Sequence, residues 1–157
     1  MYQIFYWVHI VSYIAWLLAF VMSTFYAVKV WGEDDAVKRR KSMRSERLAT
    51  SIGGHLGALG ILISGGAMAS IPGGPQWGWF NFEFYPWLAV KQIIFLIILV
   101  LVGISIKKSI AFKKKMKREK DVMTTETSEK WRKAYRWSLA VYILVVVNTI
   151  LGLTKPF

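Results

Sequence analysis

A chain of 157 residues that is 55% hydrophobic, with a mean hydropathy of +0.38, carries more apolar side chains than a soluble core of this size needs; that excludes an ordinary water-soluble domain. The absence of cysteine excludes disulfides, thiolate chemistry and iron–sulfur clusters. The net charge of +12 invites a nucleic-acid partner, but its cations are gathered into two stretches between apolar runs, so no nucleic acid is expected.

The first apolar run, 3–31, exceeds the roughly 20 residues that cross a bilayer as a helix. The start of the chain has neither a basic n-region nor a small-residue cleavage site, so no cleaved signal peptide is expected. The stretch 32–47 follows, with Lys38, Arg39, Arg40, Lys41, Arg44 and Arg47, and reads as a short basic loop on the cytoplasmic side. A second span over 48–71 ends at the Pro72-Gly-Gly-Pro75 stop. The segment 72–86 has no Lys or Arg and many aromatics, as expected of an outer loop at the headgroup level. A third span is expected over 87–106, a second basic cytoplasmic loop over 107–136, and a fourth span over 137–153. Thr125 or Thr127 is the expected cap of the last helix. The expected fold is therefore an all-α, polytopic bundle of four transmembrane helices in one membrane domain, with both termini outside. The basic loops also predict attraction to anionic lipid heads at the inner face.

At 1.5 Å per residue, depth is counted from the loop ends. His9 lies about 9–10 Å below the outer end of its span, Lys91 about 6 Å and Asn148 about 8–9 Å. These three form one outer layer. His55 lies within two turns of the inner end of the second span, about 15 Å or more from His9, which disfavours one haem held by both histidines. Each residue has a plain alternative. Lys91 can snorkel to the headgroups. His9 and Asn148 can hydrogen-bond between helices. His55 can pair with Ser51 or a facing helix. Gly53, Gly57, Gly60, Ser64 and Ala67 share a helical face, read first as close helix packing and second as a smooth wall for a flat ligand such as porphyrin or quinone.

No catalytic triad, phosphate loop or carboxylate pair is evident, and no Asp or Glu falls within the four expected spans. A neutral histidine between bundle helices is a good haem ligand, and a lysine at its depth suits an anionic tetrapyrrole or a quinone head.

Three stretches carry a family resemblance: Trp7-Val-His9-Ile-Val-Ser-Tyr-Ile-Ala-Trp16, Pro86-Trp-Leu-Ala-Val-Lys91, and the C-terminal run ending Lys155-Pro-Phe157. The chain resembles the HemJ family of membrane-bound protoporphyrinogen IX oxidases and, more loosely, CopD-like four-helix proteins. The resemblance implies haem b with His9 as iron ligand, Lys91 as the substrate or haem partner, a tetrapyrrole substrate and a quinone electron acceptor. Asn148 and His55 are further candidate cofactor contacts. It implies an integral protein of a bacterial inner membrane. The chain departs from the family over Ser23 to Lys29 and at Arg136-Trp-Ser-Leu-Ala140. These departures motivate the alternative expectation, a non-catalytic accessory subunit of a larger membrane complex, packed on membrane-protein partners or on its own copies. CopD-like metal transport ranks last, because the six methionines are scattered.

Overall fold

A computed structural model describes residues 1–71, 78–119 and 124–155. The described chain is all-helical. Four helices are long and apolar enough to cross a membrane: α1 (Tyr2–Gly32), α2 (Ala36–Ser70), α3 (Pro86–Arg118) and α4 (Thr125–Thr154). That is the architecture of an integral membrane helix bundle. The Pro72–Pro75 stop, Trp77, Lys120 and the final Pro156-Phe157 lie outside the described residues.

Three residues separate α1 from α2, so the two form a tight antiparallel hairpin. Asp35 caps α2, its Oδ1 accepting from the amides of Val37 at 2.7 Å and Lys38 at 3.2 Å. The basic stretch expected as a loop over 32–47 is thus largely helical. Nothing between Ala36 and Ile52 breaks a helix, for the segment has neither Gly nor Pro. Within α2, Thr50–His55 winds as a π-helical turn, which rotates the register between its two halves.

The α1–α2 contact is made by small residues. A methyl on Gly57 would lie 2.9 Å from Trp16 Cβ and 3.0 Å from the Ser12 carbonyl, and methyls on Gly53 and Gly60 would run into Ala19 and Ser12. The glycine face is therefore spent on helix packing. It is not open to a flat ligand. In lipid, where apolar contact with a neighbouring helix is no better than contact with acyl chains, such close approach supplies the attraction.

The aromatic segment after α2 is strapped to α3. Gln92 accepts from the Phe80 amide at 2.6 Å through Oε1 and donates to the Gly78 carbonyl at 3.3 Å, while Trp79 Nε1 donates to Ser70 Oγ at 3.2 Å. Pro86 then opens α3 at a position where a missing N–H costs nothing. At the other end of the bundle, Glu119 accepts from Thr124 at 2.8 Å and from Thr127, and Lys115 bridges Glu119 at 2.9 Å and Glu126 at 2.7 Å. Thr124, and not the expected Thr125 or Thr127, caps α4, its side chain accepting from the Thr127 amide.

The α3–α4 hairpin meets α1–α2 mainly through large rings. Tyr142 packs on Trp16 and Phe20 with centroids 4.7 and 4.9 Å apart, and Trp31 meets Tyr135 edge-on at 5.7 Å. These contacts leave two polar layers, one towards the aromatic end of the bundle and one towards the basic end.

Candidate functional site

The layer near the aromatic end is built on His9 of α1 and Ser64 of α2. The Ser64 hydroxyl donates to the Gly60 carbonyl of its own helix at 2.5 Å, a local bond typical of a serine inside a helix. Its single proton is thereby used. The 3.0 Å contact between His9 Nδ1 and Ser64 Oγ must then run from Nδ1–H to the serine oxygen. A neutral imidazole protonated on Nδ1 carries its lone pair on Nε2. Ser64 so fixes both the ring's orientation and its tautomer, as outer-shell partners of metal-binding histidines do.

Lys91 of α3 is near enough for its charge to act on His9. Its aliphatic stem lies on Gly152 of α4, whose missing side chain makes the room: a methyl there would meet Lys91 Cε at 3.3 Å and Cδ at 3.6 Å. The lysine thus runs along the α3–α4 seam, its amine 6.0 Å from the Trp87 ring centroid. Among the described residues it makes no ion pair with a carboxylate. Among the described residues, the buried Oδ1 of Asn148, four residues before Gly152, has no hydrogen-bond partner, and neither does the buried Tyr13 hydroxyl on α1.

The layer nearer the basic end was missed by the sequence reading. Glu46 and Arg47 of α2, expected as loop residues, are 0% and 1% exposed and form an ion pair in the bundle interior. No Asp or Glu falls within the expected spans, but the reading of 32–47 as a loop is corrected here: α2 starts twelve residues before the expected second span and carries Glu46 inward. Glu46 accepts from Ser23 Oγ at 2.7 Å, Thr50 Oγ1 at 3.0 Å and Trp131 Nε1 at 3.0 Å. Arg47 Nη1 donates to Ser109 and Ser138, each at 3.1 Å. Every helix contributes a partner, and both charges are bonded on each side. The signal for this pair was an acid facing Ser23 and Thr50 in a stretch with no helix breaker.

His55 lies between the layers. Its Nε2 is buried and has no hydrogen-bond partner among the described residues. It lines a cavity with Trp16, Thr50, Ser105, Ser138 and Tyr142, which has about 10 Å³ for the centre of a water, enough for one molecule. It does not pair with Ser51. It stands nine residues from Ser64, about 13–14 Å along the helix, so His9 and His55 do not face one centre. Among the described residues no group of three or more His, Asp or Glu is gathered as for a bare metal ion.

No family model, curated protein or solved structure matches the chain.

Proposed function

We propose that the chain is a haem-b-binding integral membrane oxidoreductase of the HemJ type, which oxidises protoporphyrinogen IX and passes the electrons to a quinone. The resemblance places it in a bacterial inner membrane, and the distribution of Lys and Arg supports an orientation with the basic end in the cytoplasm and both termini outside. The observation that carries the reading is the His9–Ser64 hydrogen bond, which leaves His9 Nε2 as a lone-pair donor at a fixed orientation.

The surrounding residues fit the group. A macrocycle brings four ligands of its own, so one protein histidine suffices where no cluster of side-chain ligands exists. Lys91 offers an ammonium to a propionate carboxylate of the haem or the substrate. The unpartnered Asn148 Oδ1 is a hydrogen-bond acceptor awaiting a donor such as a pyrrole N–H. A bound haem b supplies reversible one-electron transfer. The chain's own part is to orient the ligand through Ser64, to hold the anionic carboxylate at Lys91, and to keep the layer away from bulk water.

The test is the absorption spectrum of detergent-purified protein from cells supplied with haem, first oxidised and then dithionite-reduced. A Soret band and a sharp reduced α-band at near one haem per chain is the expected result. A clean apo spectrum overturns it and favours the accessory-subunit reading.

A further inference from the structure

At the basic end of the bundle a crevice of about 660 Å³ opens between α2 and α3. That size falls within the range of small-ligand sites. Its walls carry Arg40, Lys41, Arg44 and Arg47 from α2, and Lys113 and Lys117 from α3. Arg47 is neutralised by Glu46. The other five cations make no ion pair among the described residues. No acidic residue lines the crevice. Like charges placed on facing walls repel one another and together attract an anion between them.

We propose that this crevice is a site for the phosphate headgroup of an anionic phospholipid. It does not rest on the haem reading. Two features make it a site rather than a diffuse basic surface. First, its walls are held. Arg40 donates to the Met116 carbonyl at 2.7 Å, which ties α2 to α3 and leaves the rest of the guanidinium fork free for a phosphate oxygen. Lys113 is steadied by Ser51 Oγ at 3.5 Å. Second, the floor is apolar, formed by Phe112 at 1% exposed and Met116 at 9%. An apolar floor under a ring of cations lowers the local dielectric and strengthens each contact.

The membrane-side rim selects a lipid over a free phosphate. Leu48, in the crevice wall, is 54% exposed. Below it Ile52 on α2 and Ile110 on α3 are 56% and 59% exposed, as lipid-facing residues are. A headgroup in the crevice leads its acyl chains straight onto this apolar strip. Basic pockets between membrane helices of this composition suit doubly charged lipid headgroups best.

The experiment titrates the full chain in detergent with diphosphatidylglycerol, and separately with phosphatidylcholine, counting bound lipid by native mass spectrometry. The expected result is one anionic lipid per chain saturating well before the zwitterionic one. Arg44→Gln with Lys113→Gln removes one exposed cation from each wall and is expected to weaken that binding about thirtyfold. Arg132→Gln with Lys133→Gln removes the same charge from exposed positions on α4, outside the crevice, and is expected to leave it within about threefold of wild type. Millimolar inorganic pyrophosphate is expected not to displace the lipid. Equal weakening in both double variants would reduce the site to diffuse attraction. Stoichiometric displacement by pyrophosphate, or no preference over phosphatidylcholine, would equally overturn the proposal.

Discussion

The two polar layers are made from similar residue types and end in opposite states. Near the basic end, Glu46 and Arg47 meet Ser23, Thr50, Ser109, Trp131 and Ser138, and both charges are paired. Near the aromatic end, among the described residues, His9 bonds Ser64 and the Ile61 backbone, Lys91 makes no ion pair with a carboxylate, and Asn148 and Tyr13 bury polar atoms with no hydrogen-bond partner. Burying an unmatched polar group costs about 1–3 kcal/mol, so a protein that leaves several in one layer gains something from a ligand that satisfies them. The saturated layer leaves neither of its charges unpaired. The contrast separates a structural clasp from a binding layer, and substitutions in the two should behave differently.

The largest expected effect lies in the clasp. Glu46→Ala leaves a buried guanidinium unpaired and should destabilise the bundle by about 3–5 kcal/mol in thermal unfolding. Replacing the pair together, Glu46→Leu with Arg47→Met, removes both charges and should recover most of that loss. If the double variant is as unstable as the single one, the pair does more than hold the helices.

Gly57→Ala tests the α1–α2 seam on which both layers hang. The added methyl meets Trp16 Cβ and the Ser12 carbonyl, and overpacking of this kind costs about 1–3 kcal/mol. Melting of the variant measures it directly.

In the binding layer the order of effects reverses: ligand affinity falls while the fold holds. Ser64→Ala frees the His9 ring and its tautomer, and loss of such an outer-shell partner typically weakens metal affinity by about 10–100-fold. Haem titration of the apo-protein reads this. An affinity equal to wild type would mean that Ser64 does not orient the ligand.

The smallest effect is in the α3–α4 turn. The Thr127 hydroxyl first, and then the Lys115 ammonium, pull the Glu119 carboxyl down to about 2. A carboxyl depressed in the fold contributes stability that is complete above its ordinary value of 4.5 and is lost as pH falls towards 2. Protection factors of the amides at the start of α4, corrected for the intrinsic exchange rate, should therefore fall over that interval, while those of the clasp hold.

The four apolar runs announced their helices because length and hydropathy set a membrane helix almost alone. The glycine spacing likewise announced a packed face. Charge was the misleading signal. Counting Lys and Arg for orientation treats a basic stretch as a loop, yet Glu46 and Arg47 sit in a helix that nothing interrupts, and their partners come from all four helices. A saturated network is a property of three-dimensional neighbours, and so is the buried state of His55 Nε2, without a partner among the described residues. That His9 and Lys91 lie near one another was legible by counting depth from the loop ends. The tautomer of His9 was not, since it depends on where Ser64 sends its proton.

The most direct test of the separation is the haem content per chain of His9→Ala, read beside its melting temperature. The account predicts near-zero haem in a chain that still folds with the Glu46–Arg47 clasp intact. Unchanged haem content in that variant would contradict it and make the His9 layer a set of packing contacts.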